Sequence, residues 1–394
     1  MFQRNLIRYC ILLLAIAALL IPAVLIEYDI LQSTHGVLTF PLDAVFTNMT
    51  IAKNLAFQQV WGISKHAFNP ASSSPLYVVI LALVFFIMGA HPVIPLIINV
   101  VAAIGFLVVF QQWLIRQRVR PEYQLLIMLL VIYGIPIPLL MISGMEYTVE
   151  LFFSFLFVTS FLPFSRLDLP ISQLPRKVYI YGLLMVTTSY ETIILVAIAC
   201  IILLRRRQWW LAFKTGGVSI LPVLLFGVLA VSKGCYFIPP AVLHRSGDGL
   251  PRINFSNIRQ ACLNMYDQQY QMARFVHTFY YKQPVAINEI GAISYYSEGR
   301  KMDLSRMIGR SPHYVDSVSR RDNVHVAVLY DQPSYLDPLP PWSKIATWQI
   351  RNNVMPKKDS VSFYIAYQAD TALLRNNLHE FQRQLPTEVN VRYY

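Results

Sequence analysis

Charged side chains are scarce in this chain of 394 residues: they make up 14% of it, whereas hydrophobic residues make up 55%. A typical soluble domain carries about 25% charged residues. The composition therefore excludes an ordinary soluble globular protein and indicates an integral membrane protein. Long basic runs with interleaved aromatic residues are also lacking, so the formal net charge of +12 does not indicate a nucleic-acid partner.

Cysteines are few as well. Four in the whole chain are too few for a disulfide scaffold. Cys10 and Cys200 lie in apolar runs, where packing is their expected role, while Cys235 and Cys262 lie in the polar part of the chain. Those two could pair if that part faces an oxidising compartment, or they could remain separate thiols.

The apolar segments are confined to the first 235 residues. Seven runs fall at 9–28, 75–89, 93–115, 123–141, 147–164, 178–204 and 211–231. A full helical span needs about 20 residues, so 75–89 is short and 178–204 is long. No small-residue cleavage site follows the first run, which favours an uncleaved anchor. We therefore predict a transmembrane module over 1–235, with an outer loop at 29–75, and an extramembrane domain over 236–394.

The positive charges predict an orientation for these runs. We assume that 75–89 does not cross completely and that 178–204 breaks at "TTSYET" (187–192), going out and returning as two short helices. Under that threading, 12 of the 15 basic residues of the module face the cytoplasm. A broken helix is acceptable in a bilayer where its freed backbone lines a protein cavity. The C-terminal domain is then extracytoplasmic.

The same threading gathers acidic residues at the outer boundary. Asp29, Asp43, Glu146 and Glu191 lie at or just beyond it, and Glu150 follows Glu146 by one helical turn. Acids close to a membrane are costly and usually functional, although each one alone could be a solvated loop acid. Because they arrive from three separate loops, the pattern favours a common site.

The C-terminal domain alternates strand and helix patterns. Residues 254–282 and 371–385 have helical spacing, whereas 285–288, 324–330 and 361–367 are typical of short buried strands. A turn at Gly291 leads into a short helix. Such alternation predicts a small α/β domain with a partly parallel sheet.

Several motifs follow one another in a fixed order along residues 1–310. The first loop reads "LDAVF" (42–46), "TIAKNLA" (50–56), "AFNP" (67–70) and "SSPL" (73–76); "SGMEYTVELFF" (143–153), "TTSYET" and "VAINEIGAISYY" (285–296) come later. Their order and spacing resemble the GT-C superfamily of membrane glycosyltransferases, in particular an arabinofuranosyltransferase-like bacterial subgroup. The resemblance implies an α-helical polytopic membrane protein with a C-terminal extracytoplasmic α/β domain.

The sequence departs from that subgroup at three places. The usual pair of acids in the first loop is reduced to Asp43, preceded by Leu42. The segment "TTSYET" lacks the subgroup's Arg and Pro, although Glu191 remains, and Glu289 stands where an Asp precedes Ile-Gly. These departures leave open an altered donor or a loss of catalysis.

The resemblance implies an enzyme of the bacterial inner membrane that moves a sugar from a polyprenyl-phosphate carrier to an extracytoplasmic glycan, lipid or protein. Displacement at the anomeric carbon requires a base for the acceptor hydroxyl, and Asp43 is the expected general base. Asp43 begins the amphipathic segment 43–57, which can lie along the outer membrane–water interface. The alternative role of Asp43 is that of a helix N-cap or first-turn acid.

The carrier phosphate also requires cations. The expected phosphate-binding residues are Lys53, Lys65, His66, Arg245 and Arg252. A lysine at this depth can instead extend toward lipid headgroups. Glu146 and Glu191 can orient sugar hydroxyls or bind a divalent cation, but the acids show no tight ligand spacing, so a metal cofactor is left open.

Two other interpretations compete with the transferase. A catalytically degenerate relative could bind carrier lipid or assist cell-envelope glycan assembly, which the single acid at Asp43 favours. A transporter would account for broken helices but not for a large outer domain.

Overall fold

The structure, a computed structural model, describes residues 2–65, 68–70, 72–165, 173–233, 254–288, 291–307, 311–330, 341–354, 359–366 and 370–394. Five residues singled out above lie outside these ranges: His66, Cys235, Arg245, Arg252 and Glu289. The chain divides into two compact units. The helical unit comprises Met1–Tyr28, Leu55–Phe57 and Phe68–Arg245. The mixed unit comprises Asp29–Asn54, Gln58–Ala67 and Ser246–Tyr394.

The helices described up to residue 233 follow the hydrophobic runs. They are α1 (Phe2–Ser33), α2 (Asp43–Gln58), α3 (Pro75–Met88), α4 (Ile94–Arg116), α5 (Pro121–Gly134), α6 (Ile137–Ile142), α7 (Tyr147–Phe161), α8 (Arg176–Thr188), α9 (Ile193–Arg205) and α10 (Trp209–Ser232). Prolines stand in the first turn of α3, α4, α5 and α6, where their missing N–H group costs no helical hydrogen bond.

Within the described part of the chain, four helical segments are long and apolar enough to cross a membrane. They are Leu6–Ser33, Ile94–Arg116, Tyr147–Phe164 and Trp209–Ser232, with mean hydropathies of 2.9, 2.4, 1.5 and 2.0. Helices α3 and α5 are apolar but shorter, at 14 residues each. These lengths fit a membrane protein, as the composition predicts.

Two of the predicted runs are interrupted. Run 178–204 breaks at the predicted place: α8 ends at Thr188, Ser189 is extended, and the short 3₁₀ turn Tyr190–Thr192 precedes α9. Run 123–141 was expected to be one span, and this expectation is wrong. It breaks between α5 and α6, because Pro136 has no N–H group to continue the helix of α5.

The mixed unit has a central sheet flanked by helices. Its strands are β1 (Val285–Ile287), β2 (Lys301–Asp303), β3 (Val326–Tyr330), β4 (Ser343–Ile350), β5 (Ser360–Ile365) and β6 (Val389–Tyr393). Its C-terminal helices are α11 (Ile258–Asn264), α12 (Gln271–Tyr280), α13 (Gly291–Tyr296), α14 (Pro312–Arg321) and α15 (Thr371–Gln382). A π-helical turn, Met265–Tyr270, joins α11 to α12.

The strand order is β2-β1-β3-β5-β4-β6. Strand β1 pairs in parallel with β2 and β3, while the β3–β5, β5–β4 and β4–β6 pairs are antiparallel. The prediction of a partly parallel sheet is therefore confirmed. Buried aromatic rings form the centre of the core. The ring centroid of Phe275 lies 5.2 Å from that of Phe363 and 5.6 Å from that of Phe381, and the centroids of Trp348 and Phe363 are 4.4 Å apart.

The first long loop packs with the sheet rather than with the helices. Residues 29–54 and 58–67 belong to the mixed unit, although the sequence assigns 29–75 to the transmembrane module. Arg259 holds this loop by an ion pair with Asp29 at 2.6 Å, and Thr39 donates a hydrogen bond to the carbonyl of Cys262. The mixed unit is thus assembled from two distant parts of the chain.

Candidate functional site

Asp43 joins the first loop to the beginning of α13. Its carboxylate accepts two backbone hydrogen bonds, from the N–H groups of Gly291 and Ala292, each at 3.0 Å. These N–H groups have no partner within their own helix, because they belong to its first turn. Hydrogen bonds to a charged acceptor contribute about 1.5–3 kcal/mol each. In α2 itself Asp43 is a first-turn acid, which is one of the two structural roles that the sequence left open, and Leu42 is the N-cap. The cap that Asp43 provides belongs to a different helix, α13.

The position of α13 explains why an acid is needed there. β1 ends at Ile287, and Asn288 follows it, bonding through its side chain to the N–H and carbonyl groups of Tyr330 at the end of β3. The N-terminus of a helix that follows a parallel strand attracts negative charge. Here the carboxylate of Asp43 supplies that charge from within the chain.

Helix α2 is enclosed by protein. Residues 48–52 are all buried, which surrounds the helix instead of leaving one apolar face for lipid. Phe46 lies against Tyr295 and Tyr296 of α13, with ring centroids 6.1 and 5.9 Å apart. The expected position of segment 43–57 along a membrane interface is therefore replaced by packing against protein.

Two predicted phosphate-binding residues, Lys53 and Lys65, lie around the end of α13. Lys53 donates to the carbonyl of Tyr295 at 3.3 Å, and Lys65 pairs with Glu298 at 3.1 Å. Burial lowers the pKa of Lys53; the Glu298 carboxylate opposes that shift, and the Lys65 ammonium adds to it. The charges of Lys65 and Glu298 thus both act on Lys53.

The helical unit has a separate group of acids, beginning with Glu146. This residue lies just before α7, after a tight turn in which Gly144 adopts a positive φ of 72°. Tyr77 holds the turn by donating to the Gly144 carbonyl at 2.8 Å, and Thr148 donates to Asn99 at 2.9 Å. The "SGME" motif is therefore the turn that places Glu146, and only Gly adopts this backbone conformation readily.

Glu146, Glu150 and Glu191 form an acidic cluster, in which the charges of Glu150 and Glu191 both act on Glu146. Ser74 donates to the carboxylate of Glu146, and Ser189 donates to that of Glu150. Glu146 is only 4% exposed, and its Oε2 atom has no hydrogen-bond partner among the described residues. The structure thus brings together the two predicted residues Glu146 and Glu191 and adds Glu150.

Burial raises the pKa of Glu146 to about 7, an effect that the Ser74 hydrogen bond opposes and the charges of Glu150 and Glu191 reinforce. Near neutral pH this group can either donate or accept a proton. Such a side chain suits recognition of a hydroxyl or general acid–base work. Among the described residues, no three His, Cys, Asp or Glu side chains are placed to hold a metal ion.

A group of buried polar side chains along the π-helical turn is not indicated by any sequence pattern above. Asn264, Asp267, Gln268 and Gln271 are each at most 6% exposed. Within the described part of the chain, the amide nitrogens of Asn264, Gln268 and Gln271 have no hydrogen-bond partner. Their spacings of three and four residues place them on one face of a helix. Amides interleaved with tyrosines are, however, typical of a solvent-exposed helix face, so the spacing alone did not indicate burial.

Asp267→Asn should stabilise the mixed unit at pH 7 and leave it unchanged near pH 4. Burial, and secondarily the charge of Glu388, raise the folded pKa of Asp267 from 3.8 to about 6. The unfolded state therefore releases its proton first, and wild-type stability falls as pH rises from about 4 to 6. After discounting for solvent screening, the gain in the variant should be about 1–2 kcal/mol.

The measurement is thermal unfolding of the full chain in detergent between pH 4 and 8. Asp359→Asn changes an exposed aspartate of the same unit and should shift stability by less than about 0.5 kcal/mol at any pH. Parallel pH profiles for wild type and Asp267→Asn would contradict the assignment.

Comparison with known proteins adds one finding. Residues 256–364 match the model of a family described as "Domain of unknown function (DUF8728)". The match covers most of the sheet, α13 and Glu298, but less than half of the chain. No curated protein and no solved structure matches.

Proposed function

We propose that this chain is a membrane glycosyltransferase of GT-C type that moves a sugar from a polyprenyl-phosphate carrier to an extracytoplasmic acceptor, which is a glycan, lipid or protein. In this proposal the enzyme resides in a bacterial inner membrane and its C-terminal domain is extracytoplasmic. Asp43 is the general base, and Lys53 and Lys65 bind the carrier phosphate. Each oxygen of a carboxylate has two lone pairs, so Asp43 can accept a proton while it caps α13.

The buried carboxyl group of Glu146 carries the proposal. A buried acid beside apolar spans is costly, and such residues usually serve function. Glu146 is held by a glycine turn, has an unsatisfied oxygen and is coupled to two further acids. Sugars present several hydroxyl groups that both donate and accept hydrogen bonds. A carboxyl group with a pKa of about 7 can satisfy either role, so Glu146 and Glu191 are proposed to orient them.

A non-catalytic relative that binds carrier lipid or assists cell-envelope glycan assembly is the second candidate. The observation that favours it is the engagement of Asp43, whose two carboxylate oxygens hold the N–H groups of Gly291 and Ala292. An aspartate that serves as a structural cap explains its presence in a chain without the second acid of the first loop. This candidate predicts carrier binding without transfer.

Sugar transfer by the purified full-length chain in proteoliposomes tests both candidates. Radiolabelled polyprenyl-phosphate sugars are supplied with a membrane extract as the acceptor source. The transferase proposal expects labelled product, and Glu146→Gln should lower its rate by about tenfold or more, because a hydrogen bond to a charged group is lost. Glu122→Gln, at an exposed acid in the first turn of α5, is the matched control and should not change the rate.

Product formation that Glu146→Gln and Glu122→Gln leave equally unaffected would remove the acidic cluster from the site. Saturable binding of the carrier with no transfer from any donor would favour the non-catalytic candidate.

A further inference from the structure

A third lysine, Lys301, lies beside the two that the sequence singles out. It begins β2, just after the turn at residues 297–300, and its Nζ donates to the carbonyl of Gly299 at 2.5 Å. Lys53 donates to the carbonyl of Tyr295, just before this turn. Lys65 forms an ion pair with Glu298, within the turn. We call Lys53, Lys65 and Lys301 the lysine cluster.

Positive charge is in excess within the lysine cluster. Of the three lysines, only Lys65 forms an ion pair with a described residue, Glu298. Lys53 and Lys301 donate hydrogen bonds to backbone carbonyl oxygens. The Glu298 carboxylate thus lies near Lys65 and Lys53, and Lys65 also acts on Lys301. Burial, and secondly the charge of Lys65, lower the pKa of Lys301 to about 8. An anion at this place would offset the positive charge that remains among the described residues of the cluster once Lys65 and Glu298 are paired.

The turn at residues 297–300, which carries Glu298 and precedes Lys301, is closely packed. A Cβ atom at Gly299 would lie 2.6 Å from the carbonyl oxygen of Gln283, so this position accepts only glycine without a shift of the backbone. The hydroxyl of Tyr281 hydrogen-bonds to Glu298 from the neighbouring segment. The turn that holds Glu298 and precedes Lys301 is thus packed against the neighbouring segment.

We propose that the lysine cluster binds a dianionic phosphate group and that Glu298 is an internal competitor that occupies Lys65 until the phosphate arrives. Lys65 and Glu298 are partly exposed, with side-chain exposures of 33% and 44%, so their ion pair is weak and easily exchanged. The three ammonium groups and the Glu298 carboxylate leave two positive charges in excess. A phosphate dianion carries two negative charges and would balance them. Lysines suit it because their ammonium groups act as adaptable point charges.

The phosphate has two sources with the same chemistry: the headgroup of a polyprenyl phosphate and a free phosphate ion. Only assignment to the carrier headgroup rests on the proposed transferase. Binding of a phosphate group to the cluster stands on the geometry of the mixed unit alone.

The test is equilibrium binding by the full-length chain in detergent. Inorganic phosphate is the soluble probe; nanodiscs containing polyprenyl monophosphate, compared with phosphatidylglycerol nanodiscs, are the lipid probe. Lys301→Met and Lys65→Met should each weaken phosphate binding by about tenfold, and Glu298→Gln should strengthen it by about threefold or more, because attraction is lost in the first two and competition in the third. Lys282→Met changes an exposed lysine of the same unit and is the matched control.

Melting temperatures of all variants verify folding, and the partly exposed Lys65 provides a variant that keeps its fold if Lys301→Met does not. Binding of either probe that follows this pattern supports the site, and the probe that binds identifies the source. Equal affinity of wild type, Lys301→Met and Lys65→Met overturns the site, and weaker binding by Glu298→Gln overturns the competitor role. Because no turnover is measured, failure of sugar transfer leaves this result intact, and the reverse also holds.

Discussion

Replacing Gly291 by alanine should destabilise the mixed unit by about 3–5 kcal/mol, the combined cost of overpacking and of lost charge-assisted hydrogen bonds. An alanine Cβ would overlap Oδ1 and the backbone carbonyl oxygen of Asp43 and would lie 2.5 Å from its Cγ atom. The backbone oxygen belongs to the first turn of α2 and cannot rotate away. Either α2 or α13 must therefore shift, and both hydrogen bonds of the cap lengthen with it.

Thermal and urea unfolding of the full chain in detergent measure this loss. Gly217→Ala is the control, since a Cβ there meets nothing within 4 Å and lies on a helix, where alanine is favoured by up to about 1 kcal/mol. Adding Asp43→Ala to Gly291→Ala should recover only part of the loss, because the carbonyl oxygen remains. An alanine at 291 that unfolds like wild type would refute the close approach of the two segments.

Hydrophobic length predicted most of the helical unit. Runs 93–115 and 211–231 became α4 and α10 to within two residues, and the polar patch at 187–192 marked the break between α8 and α9. The break at Pro136 was missed because its neighbours are all apolar, so the run looked continuous. A proline acts through one missing donor, which a hydropathy pattern does not register.

Strands of the mixed unit were predicted only where they are buried on both faces. β1 and β3 have every residue buried and were recognised, whereas β4 was missed. Its sequence, "SKIATWQI", mixes exposed and buried positions and includes a register shift between Lys344 and Ala346 that disturbs the alternation. Irregular pairing removes the period of two on which recognition of a strand depends.

The candidate functional residues of each unit were predictable in type, but their partners were not. Charge and position indicated Asp43, Glu146 and Glu191, yet Asp43 meets Gly291 across 248 residues of sequence. Lys301 was overlooked because "GRKMD" has the composition of an exposed turn, and its burial arises only when β2 pairs with β1. Contacts of this range depend on the fold, and no local pattern contains them.

Asp43→Asn should lower sugar transfer by about 10²–10⁴-fold if Asp43 is the general base, because an amide cannot take the proton of the acceptor hydroxyl. The same substitution also weakens the cap. One amide oxygen still accepts an N–H group of α13, but the amide nitrogen faces the other donor, at a cost of about 1–3 kcal/mol. Rates must therefore be compared at equal folded fractions, measured by the unfolding assay on the same samples.

Asp29→Asn provides the matched control for this substitution, since Asp29, near the end of α1, belongs to the same part of the mixed unit and forms an exposed ion pair with Arg259. It should leave transfer within about twofold, because exposed ion pairs contribute little. The two roles of Asp43 then separate by their readouts. A base raises the reactivity of the acceptor hydroxyl, so its loss lowers the transfer rate at every donor concentration, including saturation. A cap positions α13, so its loss lowers stability and is offset by conditions that favour folding. If the folded Asp43→Asn protein transfers sugar at the wild-type rate, Asp43 is only a cap. Glu146 would then be the next candidate for the general base.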